Sequence, residues 1–151
     1  MKTPVKASVF TALLVALSLC AVGVQARSAE HYLSIKGAVE MGRANGALGR
    51  DIRLYFSDQS HSAVAVSFAR GVEAKGKVKV AHKGEDEACN AAMVEALATL
   101  QERARKEGGN AVIGIRSYYK KASFNSKQQF ECIVGGSAKV FLSGDIVKLK
   151  E

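Results

Sequence analysis

Residues 87–107 read EACNAAMVEALATLQERARKE and run directly into Gly108-Gly109. Cys89, Met93, Ala96, Leu97, Leu100 and Ala104 recur at helical spacing along one stripe, whereas Glu95, Gln101, Glu102, Arg105 and Lys106 fall elsewhere. Carboxylates at Glu85, Asp86 and Glu87 and cations at Arg103, Arg105 and Lys106 complement the helix macrodipole. The glycine pair supplies the stop. One long helix is therefore predicted, and its apolar face needs a second layer to cover it.

The flanking segments supply that layer. Clusters of β-branched and aromatic residues punctuated by glycine predict strands at 52–56, 63–69, 77–81, 111–121, 129–133, 138–142 and 146–149. A short helix is expected over residues 35–44. Hairpin-length connections at 123–127 and 143–145 predict a mainly antiparallel sheet, so the expected fold is a two-layer α+β sandwich. In the strand at 111–121, Ile113, Ile115 and Tyr119 are expected to share the face that meets the helix, with Arg116, Tyr118 and Lys120 pointing the other way. Phe130, Cys132 and Val134 likewise share a face.

The amino end reads as an address. Met1-Lys2-Thr3-Pro4-Val5-Lys6 is a short basic segment, residues 7–26 carry no charge, and Val24-Gln25-Ala26 is a small-x-small cleavage signal. Residues 1–26 thus read as a cleaved secretory signal and residues 27–151 as one globular domain, periplasmic or secreted. A membrane-spanning helix is the competing reading, but no basic stop-transfer cluster follows the stretch. Lipid attachment at Cys20 would want Gly, Ala or Ser at the preceding position, where Leu19 stands. Membrane contact is accordingly expected only through the signal before cleavage.

Removal of Lys2 and Lys6 leaves 20 basic against 14 acidic side chains, a moderately basic domain. Two cysteines remain, Cys89 and Cys132, and an even pair in an oxidising compartment is more simply a disulfide than two buried thiols. Closing that loop is worth about 4 kcal/mol in the chain-entropy model.

Motifs for chemistry are sparse. Residues 71–78, GVEAKGKV, come within one residue of a phosphate-binding P-loop, but Val78 replaces the magnesium-binding hydroxyl. The alternation from Lys77 to Val80 also reads as a strand where a helix is required, so no ATP is expected. His31, His61 and His82 are widely separated, no CxxC or HxxxH spacing occurs, and Glu85-Asp86-Glu87 suits the helix start, so neither a metal nor a cofactor is expected. There is no GxSxG elbow, and Ser60-His61 is an adjacent pair in a polar turn, so no catalytic residues are assigned. The feature with most functional content is basic. Lys75, Lys77 and Lys79 alternate on one strand face, and Arg116, Tyr118 and Lys120 add cations and an aromatic ring, a candidate anion-binding surface if the strands are neighbours. The plain alternative is a solvated, edge-protecting lysine face.

Cys89-Asn90-Ala91-Ala92, then Gly109-Asn110-Ala111-Val112-Ile113-Gly114-Ile115, Ser117-Tyr118-Tyr119-Lys120-Lys121 and Phe130-Glu131-Cys132, resemble a family of small exported bacterial proteins of unknown function. Its members often carry the label "excinuclease ATPase subunit", which the broken P-loop and the short chain contradict. More distantly, the helix followed by Gly-Asn-Ala-Val-Ile-Gly-Ile is similar to YbjQ-type heavy-metal-binding domains and to the disulfide-clipped, RcsF-like exported version. This resemblance implies a helix packed on a sheet, a ring-like homo-oligomer and, more weakly, metal binding. RcsF has two disulfides where this chain offers one. The functional expectation is an exported, non-catalytic binding domain for an envelope protein. The alternative is an anion-binding module for phosphorylated glycolipid or nucleic acid. Export would also make the chain a candidate antigen in a pathogen.

Overall fold

The computed structural model describes residues 28–151, so the signal segment and Cys20 lie outside the described residues. In chain order the elements are β1 (Ala29–Ser34), α1 (Ile35–Ala44), β2 (Arg53–Phe56), β3 (Val64–Lys79), α2 (Glu85–Glu107), β4 (Ala111–Tyr119), β5 (Ala122–Phe124), β6 (Gln129–Val134) and β7 (Ser137–Leu149). Among the described residues seven strands form one curled sheet in which only the β2–β4 pairing is parallel, and the architecture is α+β.

Helix α2 forms where the stripe predicts it. Gly108 ends it at φ 81°, and Ala88, Cys89, Ala92, Met93, Ala96, Leu97, Leu100 and Ala104 are all fully buried. They meet Ala138, Val140, Leu142 and Ile146 of β7, Phe130 and Cys132 of β6 and Ala74 of β3 in the main core. Cys89 and Cys132 form a disulfide, with Cα atoms 5.8 Å apart. Helix α1 occupies the expected residues, capped by Ser34, whose hydroxyl accepts from the Gly37 N–H.

Several expectations need correction. Residues 143–145 do not turn: they lie inside β7, which runs unbroken for 13 residues. A Cβ at Gly144 would come within 2.8 Å of Val112, so this glycine serves packing rather than reversal. The expected strands at 63–69 and 77–81 are likewise one 16-residue strand that absorbs the whole P-loop-like segment. Strand β4 ends at Tyr119, and the reversal before 123–127 is made by Lys120 and Lys121, both at positive φ (49° and 65°). Strand β1, paired along its length with β6, is an addition.

Ile113, Ile115 and Tyr119 do not share a face. Gly114 sits at φ 62° where the β4–β7 register shifts, so Ile115 enters the main core. Ile113 instead joins a second cluster with Ala111, Val147, Leu149 and Tyr55. A bulge reverses the alternation on which the expectation rested. Gln101, placed off the apolar stripe, is buried: its amide accepts from the Gly49 N–H at 3.0 Å and donates to the carbonyls of Gly49 and Ile52, both at 2.9 Å.

Candidate anion-binding face

Alternation along β3 decides which residues can meet a ligand. Ala74, Gly76 and Val78 turn towards α2, where Gly76 abuts the Ala92 backbone, and this leaves Lys75, Lys77 and Lys79 exposed on the opposite face. Register with β7 sets their neighbours: Lys75 stands opposite Phe141, Lys77 opposite Lys139 and Lys79 opposite Ser137.

Strands β3 and β4 are not adjacent, because β7 lies between them. The two halves of the expected patch are joined through Phe141. Its ring centroid lies 5.2 Å from the Lys75 ammonium and 5.1 Å from the Tyr119 ring, and the Lys120 ammonium sits 5.1 Å from the Tyr119 centroid. Two aromatic rings are thus bracketed by cations, an arrangement favoured by the ring quadrupole. Lys120 reaches this row from the turn rather than from a strand face. Tyr118 joins Lys75, Phe141 and Glu73 around an open recess of about 250 Å³. Arg116 stands opposite Ser143, with Glu73 on that residue's other side, and its Nη1 donates to the Gly114 carbonyl at 3.3 Å.

Lys139 belongs to the site and was missed. Its signal was present, since Ala138-Lys139-Val140-Phe141-Leu142 alternates with period two and marks Lys139 and Phe141 as outward partners of a buried set. With Lys77, Lys79, Ser137 and the Gly135-Gly136 turn, Lys139 lines a second open recess of about 380 Å³.

Cations outnumber acids on this face: Glu73 shares the recess with Lys75 but forms no ion pair with it. Among the described residues, no carboxylate lies within 4.0 Å of the charged groups of Lys75, Lys77, Lys79, Lys139 or Arg116; every ion pair there engages other side chains. Glu95 is near, but its carboxylate accepts from the backbone N–H of Lys77 at 3.1 Å. Elsewhere, His31 lies 3.3 Å from Glu85 and 3.8 Å from Asp86, tying β1 to the start of α2. His61 packs edge-on against Tyr55. Among the described residues no three His, Cys, Asp or Glu side chains converge as metal ligands would.

Neither a scan against protein-family models nor a search of curated proteins finds a match to this chain.

Proposed function

We propose that this chain is an exported binding domain that takes the phosphate groups of a phosphorylated glycolipid headgroup on the outer face of β3 and β7. The observation that carries this reading is the Lys77–Lys139 pair with Lys75 and Lys79 on the adjoining rungs, four ammonium groups without carboxylate partners among the described residues. Like charges directly across an antiparallel pair destabilise a sheet, so the arrangement gains stability from an added anion. Two residues along a strand span roughly 6.6 Å, which sets Lys75, Lys77 and Lys79 in line over about 13 Å and suits a ligand with more than one phosphate. Phe141 and Tyr118 beside them offer apolar surface to a sugar ring.

Support for export comes from the charge pattern of residues 1–26 and from the Cys89–Cys132 disulfide, since such bonds persist in oxidising compartments. The test is titration with a bisphosphorylated disaccharide headgroup, with a single-stranded oligonucleotide as a separate arm. Headgroup binding should weaken as salt rises, and Lys75→Gln, Lys77→Gln and Lys139→Gln together should lower affinity at least about tenfold. Equal affinity of that variant and the parent removes the face from consideration. Binding of the oligonucleotide alone moves the ligand to nucleic acid.

A further inference from the structure

Strand β3 carries a second surface at its other end. Among the described residues four large apolar side chains stand exposed, and three of them are Val64, Val66 and Phe68, at 40, 44 and 40 % exposure. They fall within five residues at one end of the strand, where the register shift sets Val66 beside Lys148 on one face and Val64 beside Leu149 on the other, so this strand end presents apolar side chains on both faces. Residues 60–68 are exposed throughout. Helix α2 shields β3 only further along, where Gly76 meets Ala92 and Glu95 caps the Lys77 N–H.

The rim of this patch is cationic. Lys148 stands opposite Val66, the Lys150 N–H donates to the Ala63 carbonyl, and Arg70 follows two residues after Phe68; all three side chains are exposed. No carboxylate occurs anywhere from Gln59 to Val72. Asp58 and Glu73 flank this stretch; Asp58 pairs with Lys127 at 3.2 Å, and Asp145 accepts from the Gly71 N–H at 2.7 Å. Glu151 follows Lys150.

We infer that Val64, Val66 and Phe68, ringed by Arg70, Lys148 and Lys150, dock the domain on an anionic lipid surface. Apolar side chains that enter the headgroup layer while cations meet the lipid phosphates are the two components of interfacial binding. Charge complementarity selects this occupant, and the backbone argues against a second copy. Register shifts between Val64 and Val66, between Ser67 and Ala69 and between Ala69 and Val72 break the row of edge amides that another strand would need. A lipid surface requires no strand register. Membrane contact is thereby extended from the leader to the folded domain, through residues separate from the Lys75–Lys79 face.

The experiment sediments the chain from Arg27 onward, which contains the whole core described above, with vesicles of phosphatidylcholine alone or with roughly a third phosphatidylglycerol. The protein should pellet only with the anionic vesicles, and Val66→Ser with Phe68→Ser should lower the partition coefficient about tenfold. Lys75→Gln with Lys77→Gln should leave it within about threefold. The sequence contains no Trp, so a Phe68→Trp variant reports the contact directly, its emission shifting to the blue as the ring leaves water. Loss of vesicle binding in the Lys75/Lys77 variant with none in the Val66/Phe68 variant overturns this docking surface and returns the contact to the other face. A dimer that Val66→Ser dissolves, with no vesicle binding, overturns it in favour of self-association. Failure of the headgroup titration leaves this result standing, because the residues differ.

Discussion

The Cβ that Gly76 lacks would stand 1.7 Å from the carbonyl oxygen of Ala92, so β3 and α2 meet there backbone to backbone. No side-chain rotation relieves such a clash, because the obstacle is the helix itself. Gly76→Ala should therefore cost about 3 kcal/mol, at the upper end of overpacking penalties. Gly136→Ala, at a position with no atom within 4 Å, is the control and should be nearly neutral. Urea midpoints of the two variants make the comparison, and equal midpoints would mean that the close approach is absent.

Both disulfide cysteines are fully buried and close a loop of 43 residues between α2 and β6. Constraining that loop in the unfolded chain is worth about 4 kcal/mol, a large part of a small domain's stability. The paired variant Cys89→Ala and Cys132→Ala should lose roughly that amount in denaturant unfolding. In the folded parent, burial keeps reagent out, so alkylation after mild reduction should track unfolding.

Gln101 ties the segment after α1 to α2 through three hydrogen bonds spanning about fifty residues of chain. Gln101→Ala strands the Gly49 N–H and two carbonyls at a buried position, at a cost of about 2–3 kcal/mol. Hydrogen exchange of the Gly49 amide should accelerate more than that of amides in the centre of α2. Uniform acceleration would show that the loop has no stability of its own to lose.

How far the amino acids announced this structure differs by element, for physical reasons. Helix α2 was legible because its period, end charges and glycine stop agree. The sheet's connectivity was not, because glycine has two uses. Gly76 and Gly144 sit within strands where a helix backbone or a Val side chain comes close, and composition alone makes the same residues look like breaks. The glycine at 114 reverses the alternation in β4 and sends Ile113 and Ile115 to opposite faces. For the basic face, Lys75, Lys77 and Lys79 were readable as one side of a strand. Lys139 entered only once β7 was known to pair with β3, since cross-strand partners are set by register and not by local sequence.

Glu131 sits half-buried on β6, opposite Tyr32, and loss of hydration, with a smaller push from the Glu30 charge, raises its carboxyl above the usual range. A carboxyl whose folded value is raised binds its proton more tightly in the native state. The stability from that proton is fully present below the unfolded value of about 4.3 and is lost as pH rises through the folded one. Glu131→Gln keeps the shape and removes the charge. Its melting temperature should exceed the parent's at pH 7 and match it below pH 4. A variant that melts lower at both pH values would show that the carboxylate makes a contact worth more than its desolvation.

Asp51 shifts the opposite way. Arg105 donates from Nε to one carboxylate oxygen at 2.6 Å and from a terminal nitrogen to the other at 2.8 Å, and these bonds hold the carboxyl down at about 2. A lowered value contributes stability that is present above the unfolded value of about 3.9 and disappears as pH falls through the folded one. Both side chains are substantially exposed, 55 % for Asp51 and 42 % for Arg105, so solvent screening limits the pair to about 0.5 kcal/mol despite its two-pronged geometry. Asp51→Asn should thus lower stability slightly at pH 7, and the deficit should narrow below pH 4 and close near pH 2. Added salt should shrink it at neutral pH as well. A deficit that persists unchanged at pH 2 would mean that Asp51 acts through shape or backbone hydrogen bonding, and that the attraction to Arg105 contributes nothing to holding the segment before β2 against the end of α2.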